Sequence, residues 1–208
     1  MLIKVGDLKH SLVILAGGQS VRMGELKPHT FVEESRLIDL VACKISSLFE
    51  EVLVVLKEGM DPIEPYYCVY DNFKDFSPLF GIHAGLTHAN SFYSFIIACD
   101  MPFVRRELVS FLLEQADREG PDVVVPVIRG FYEPLFAVYS KNCIPFIESS
   151  ISNGILKVTS FYNSVGIQEV PERLVLTCDP RLQSFVNLNT REDIKKAFLL
   201  GLHNNAEP

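Results

Sequence analysis

One local plan recurs along most of the chain: a short apolar run, a turn carrying glycine or aspartate, then a stretch of helical periodicity. Leu12-Val13-Ile14-Leu15, Val52-Leu53-Val54-Val55-Leu56 and Ser94-Phe95-Ile96-Ile97-Ala98-Cys99 have the length and branching of strands buried on both faces. Between the first two, Leu37, Leu40, Val41, Ile45, Leu48 and Phe49 fall on one helical face, predicting a helix over 37–49. A strand over 67–70, a helix from Ser77-Pro78 to about residue 89, an amphipathic helix over 104–118 and a strand over 122–126 continue the pattern. Strands that alternate with helices pair in parallel, with the helices covering both faces of the sheet. The expectation is a single-domain three-layer α/β/α architecture, in which ligands sit outside the carboxyl ends of the strands.

The second half is less regular. It reads as a strand over 132–139, short helices over 141–149 and 154–162, and a strand over 167–170, which allows a short antiparallel element. Thr190 is the expected N-cap of a last helix, with Glu192 and Asp193 in its first turn and Ile194, Ala197 and Phe198 on its packed face. The 208 residues read as one domain, with 1–10 an N-terminal extension and 203–208 a flexible tail.

The first apolar run breaks into Leu15-Ala16-Gly17-Gly18-Gln19-Ser20-Val21-Arg22-Met23-Gly24-Glu25-Leu26-Lys27. Adjacent glycines let backbone N–H groups approach a ligand with no Cβ between, and Arg22 and Lys27 add two cations; a polyphosphate is the natural ligand. A Walker loop is excluded because Gly24 is followed by Glu25. A dinucleotide fingerprint is excluded because Gly17 and Gly18 are adjacent and Pro28 closes the loop. The remaining alternative is an ordinary turn with two surface cations.

A net charge of -7 opposes nucleic acid or an anionic membrane as partner. The five cysteines (Cys43, Cys68, Cys99, Cys143, Cys178) never adopt CxxC spacing, which removes zinc-ribbon and disulfide-framework readings and suits the cytoplasm. No apolar run reaches about 18 residues, so no membrane span is expected. His10, His29, His83, His88 and His203 share no ligand spacing.

The string LAGGxSxRMGxxK resembles the signature of the nucleotidyltransferases that attach a nucleotide to the molybdenum cofactor, in particular the MobA-like molybdenum cofactor guanylyltransferases. PLFGI at 78–82, ACDMPF at 98–103, EPLFAVY at 133–139 and FVNLNTRED at 185–193 are similar to further motifs of that family. Ser77, Glu133 and Arg191 depart from the family's usual glycine, glutamine and proline. The resemblance implies a Rossmann-like fold of the nucleotide-diphospho-sugar transferase kind. It also implies transfer of GMP from Mg-GTP to the terminal phosphate of molybdopterin, with cofactor biosynthesis and delivery proteins as partners. A cytidylyltransferase, another small-phosphate nucleotidyltransferase and a GTP-binding protein without turnover are the alternatives.

On that reading Leu15, Ala16, Gly17, Gly18, Lys27, Asp71, Gly81 and Asp100 bind the nucleotide, and Arg22, Lys27 and Asp100 are catalytic. Asp100, between an apolar strand and Met-Pro, is the candidate Mg²⁺ ligand; its alternative role is to cap the following helix. Asn187 and Asn189 are candidates for metal or second-substrate support, or are turn residues. Asp71, past another strand end, is the candidate acceptor for guanine, or merely starts an Asx turn with Asn72.

Overall fold

The computed structural model describes residues 10–18, 31–32, 35–190 and 192–193. After β1 (His10–Leu15) come the antiparallel pair β2 (Phe31–Val32) and β3 (Ser35–Arg36), then helix α1 (Leu37–Ile45). They are followed by β4 (Glu51–Lys57), β5 (Tyr67–Asp71), α2 (Pro78–His88), β6 (Tyr93–Ala98) and α3 (Arg106–Glu119). The second half holds β7 (Val123–Ile128), β8 (Phe131–Tyr132), β9 (Phe136–Ser140), α4 (Ile144–Ser152), β10 (Ile167–Pro171) and α5 (Glu172–Cys178).

Among the described residues, eight strands form one sheet in the order β10-β7-β9-β6-β1-β4-β5, with β8 paired to β7. β1 is hydrogen-bonded in parallel on both sides, Ile14 lying level with Val54 of β4 and Ile97 of β6. Burial on both faces explains why its apolar run does not alternate with polar residues. Ile14, Val54 and Ile97 face one core with α1 and α3, while Val13, Leu53 and Ile96 face the other with α2 and α4. The outcome is a single three-layer α/β/α body. From β1 the chain moves to β4 and β5 on one side and returns to β6 on the other. The strand order therefore reverses at β1, which opens a crevice at the carboxyl ends of β1, β4 and β6.

α2 sits close against β1 because glycines face it. A Cβ on Gly85 would lie 2.5 Å from Cγ1 of fully buried Val13, and one on Gly81 would lie 3.1 Å from Cδ2 of Leu15. Ser77 caps the helix: its hydroxyl accepts the Leu79 N–H at 3.1 Å and donates to the Leu156 carbonyl at 2.9 Å. Gly85→Ala on an exposed helix would gain about 0.5–1 kcal/mol from propensity. Here the β-branched Val13 has nowhere to rotate, and a net loss of about 1–3 kcal/mol is expected in urea unfolding. A stabilised variant would show that α2 can move away from the sheet without cost.

Several expected elements differ in extent. The helix over 37–49 ends at Ile45 and tightens into a 3₁₀ turn, Ser46–Leu48. The strand over 132–139 is two strands broken at Glu133-Pro134, because proline has no N–H to donate and Phe136 N–H turns back to the Glu133 carbonyl at 3.0 Å. The helix over 154–162 is a 3₁₀ stretch, Val158–Ser164. α5 has no counterpart in the sequence reading: Val175 is its one buried residue, too little for a period to show. The capping at Thr190 is reciprocal. Its hydroxyl accepts the Asp193 N–H at 3.0 Å, while Asp193 Oδ2 accepts the Thr190 and Asn189 N–H groups at 2.8 and 3.0 Å. Ile194, Ala197 and Phe198, like 1–9 and 203–208, lie outside the described residues. No described helix is long and apolar enough to cross a membrane.

Candidate active site

The crevice at the strand ends is a cavity of about 460 Å³, within the range of small-molecule sites. The turn after β1 forms its floor. Ala16 N–H donates to the Val55 carbonyl at 2.9 Å and Cys99 N–H to the Leu15 carbonyl at 3.1 Å, so the exit from β1 is tied to both neighbouring strands. Leu15, Gly17 and Gly18 line the cavity. Ala16 does not: its side chain is in the core and its N–H is taken by Val55, so it has no N–H to offer a ligand.

Of the two glycines, only the first is required by space. A Cβ on Gly17 would come within 3.0 Å of the Lys57 backbone nitrogen, so β4 itself excludes a side chain there. Gly18 has nothing within 4 Å of a Cβ position, which leaves its backbone open to a ligand. Arg22 and Lys27 lie outside the described residues.

Asp71 closes β5 and is 7 % exposed at the cavity wall. Its Oδ1 accepts the Phe73 N–H at 2.9 Å, which is the Asx-turn geometry, and its carboxylate also meets Lys57 Nζ at 3.3 Å. The turn and the placement on the cavity thus coexist. Gly81 and Phe76 line the same wall, Phe76 with 54 % of its surface exposed.

Asp100, also 7 % exposed, follows β6 on the other side of the glycine turn. The helix-cap alternative fails: α3 starts at Arg106 with Arg105 at the N-cap, and the Arg105 N–H is satisfied by the Ser184 hydroxyl at 3.0 Å. The Asp100 carbonyl accepts the Leu188 N–H at 2.8 Å, which draws the segment after α5 over the strand ends and brings Asn187 to the cavity. Asn189 is not among the lining residues; its backbone belongs to the Thr190 cap.

Among the lining residues that the sequence did not single out for the site, Glu133 and Phe76 bear on its chemistry. Glu133, read there only as a departure from the family motif, sits where β8 gives way to β9, and burial pushes its carboxyl up from the ordinary range. Phe76 had no sequence signal, since an aromatic before a helix is as common in a core. Lys57, which does not line the cavity but holds Asp71, follows from the parallel register that places it beside Asp71.

Among the described residues no group of three or more His, Cys, Asp or Glu side chains is placed to hold a metal ion. A buried carboxylate and an amide on one cavity are hard oxygen donors. Mg²⁺ accepts such a partial set when substrate phosphates and water complete its octahedron. The residues therefore fit a magnesium ion that arrives with a polyphosphate.

A sheet that reverses at a glycine turn, with carboxylates at strand ends on either side of it, suits an activated nucleotide, and the class is that of α/β nucleotidyltransferases. The solved structure of the molybdopterin-guanine dinucleotide biosynthesis protein A from Archaeoglobus fulgidus superposes with a TM-score of 0.80 at 28% identity, covering 92% of this chain and 98% of that one. Residues 12–165 match the MobA-like NTP transferase domain, and the chain belongs to that family. It is 36% identical to the probable molybdenum cofactor guanylyltransferase of Natranaerobius thermophilus over 90% of this chain and 94% of the relative. It is 34% identical to the molybdenum cofactor guanylyltransferase of Desulfosudis oleivorans over 89% and 92%. The protein is accordingly a nucleotidyltransferase.

Proposed function

We propose that the enzyme transfers GMP from Mg-GTP to the terminal phosphate of molybdopterin, giving the guanine dinucleotide form of the cofactor and pyrophosphate. The observation that carries this reading is the shared cavity: Asp71 and Asp100 stand on opposite sides of the open Gly17-Gly18 turn. A base at Asp71 leaves the phosphates over the glycines and toward Asp100. The names of the relatives supply guanine and the cofactor as the two substrates.

An oxygen of the acceptor phosphate forms the new bond to the α-phosphorus of GTP, and the bond to the bridging oxygen breaks with its electron pair leaving on pyrophosphate. A phosphate monoester has a second pKa of about 6, so near neutral pH it is already a dianion and needs no general base. Among the described residues no histidine lines the cavity. Gly17 and Gly18 admit the triphosphate to the backbone, and Arg22 and Lys27 neutralise it. Asp100, with Asn187, holds Mg²⁺, whose chemistry is to offset charge on the transferring and leaving phosphates. Catalysis is then alignment and charge neutralisation.

Supplying purified protein with Mg²⁺, molybdopterin and each nucleoside triphosphate in turn tests this. Pyrophosphate is expected with GTP and only when the pterin is present. Release with CTP alone would make the enzyme a cytidylyltransferase, and GTP binding with no release would make it a binding protein. Omitting Mg²⁺ is expected to stop turnover.

A further inference from the structure

Lys57 ends a strand that is apolar from Val52 to Leu56 and mostly buried, and it is itself only 9 % exposed. A lysine at that depth must have its donors matched. Nζ donates to the Asp75 carbonyl at 2.6 Å and stands 3.3 and 3.4 Å from Oδ2 and Oδ1 of Asp71. The same ammonium lies 5.0 Å from the Phe76 ring centre and 5.6 Å from that of Phe80.

Two of these partners, Asp71 and Phe76, face the cavity, while Lys57 does not. The tight contact is the one to the Asp75 carbonyl. The two distances to Asp71 are longer than the roughly 2.7–2.9 Å of a full charge-assisted hydrogen bond. The ammonium is anchored on the backbone turn and leans toward the carboxylate from behind. A carboxylate has about four lone-pair positions. Among the described residues, Phe73 N–H and Lys57 share Oδ1 and only Lys57 meets Oδ2, so acceptor capacity remains for a ligand in the cavity.

We infer that Lys57 is a positioning residue for base selection: without touching the nucleotide, it fixes the Asp71 carboxylate that meets the base edge and the Phe76 ring beside it. This rests on the reading of Asp71 as the guanine acceptor. Removing the ammonium leaves the Asp71 carboxylate to rotate away or to recruit water, and leaves Phe76 without the charge beneath it. Discrimination between bases suffers, because it depends on two donors meeting two fixed oxygens.

The test is kcat/KM for GTP and for CTP in wild type, Lys57→Met and Lys57→Arg, with thermal midpoints alongside. Lys57→Met is expected to lower the GTP-to-CTP ratio about tenfold, with the loss falling on KM for GTP more than on kcat, while Lys57→Arg keeps most of the preference. Should Lys57→Met fail to fold, Lys57→Gln is read by the same ratio, since it keeps a donor for the Asp75 carbonyl but no charge for Asp71. A wild-type preference for GTP that survives unchanged in the uncharged variant, even with a lowered midpoint, overturns the inference alone and leaves Lys57 a structural residue. A wild type with no preference for GTP overturns the guanine reading and this inference with it.

Discussion

Asp100→Ala is expected to keep its fold and lose turnover by about two to three decades, the size of effect seen when a group stabilising transition-state charge is removed. The fold should survive because backbone contacts hold this segment on both sides of Asp100. The Asp100 carbonyl receives the Leu188 N–H, and the turn between β6 and α3 is closed by Met101 N–H to the Ala98 carbonyl at 3.2 Å. Neither bond involves the carboxylate. α3, capped at Arg105, does not use Asp100. Turnover should fail because, among the described residues, the cavity offers no second carboxylate beside Asp100 to take over a metal with a comparable set of oxygens: Glu133, the acidic residue on that side, has its charged form disfavoured by burial. Steady-state pyrophosphate release and thermal unfolding decide the matter together. A midpoint within about 4 °C of wild type corresponds to about 1 kcal/mol for a chain of this size. If the variant unfolds at markedly lower temperature yet keeps its activity per folded molecule, Asp100 belongs to the scaffold.

What the sequence revealed and what it hid follow from how far apart the determining contacts lie. β1, β4 and β6 are legible because strands buried on both faces must be apolar throughout, so Leu12 to Leu15 announces itself without knowledge of its neighbours. The Thr190–Asp193 cap is legible for the same reason, as a contact between residues three apart. β9 is visible as an apolar run, but nothing in its composition says that it enters the sheet antiparallel between β6 and β7. Strand direction is fixed by connection and packing, and the type I′-like hairpin at Arg129-Gly130, both at positive φ, is what turns the chain back. α5 is hidden because a helix with one buried side chain has no face to betray it.

The site divides along the same line. Gly17, Gly18, Asp71 and Asp100 are legible as punctuation after apolar runs. Which of them share a cavity depends on the strand order, since β6 comes to lie beside β1, and β5 on its other side beyond β4, only after the chain has crossed the sheet. Ala16 looks like part of the loop in sequence, yet it is the last residue tied into the sheet through its N–H to Val55. Lys57 looks like the solvent boundary of a strand, as a charge after an apolar run commonly is. Only the register that sets it level with Asp71 turns it inward.

That pairing changes what to expect from Asp71→Asn. Guanine presents N1–H and the exocyclic N2–H₂ as adjacent donors, and an ionised carboxylate can accept both; cytosine offers one donor beside an acceptor that a carboxylate repels. An amide replaces one acceptor with a donor, and losing a hydrogen bond to a charged group costs roughly 1.5–3 kcal/mol, or about one to two decades in the ratio of kcat/KM for GTP over CTP. The structure adds a second cost. If the amide oxygen keeps the Phe73 N–H, it keeps the 3.4 Å contact to Lys57 as well, but the amide nitrogen takes the place of Oδ2 against the same ammonium, donor against donor; if the oxygen takes the Oδ2 place, the Phe73 N–H is left without its acceptor. Either way a buried polar group goes unmatched, for about 1–3 kcal/mol of lost stability. The two costs are separable, because stability lowers the yield of folded enzyme for both nucleotides alike while base reading alters only their ratio. A urea midpoint shifted downward together with a GTP-to-CTP ratio reduced at least tenfold is the expected result. The same shift with an unaltered ratio would leave Asp71 as the acceptor for Phe73 and Lys57 alone, and pass the reading of the base to backbone groups of the cavity.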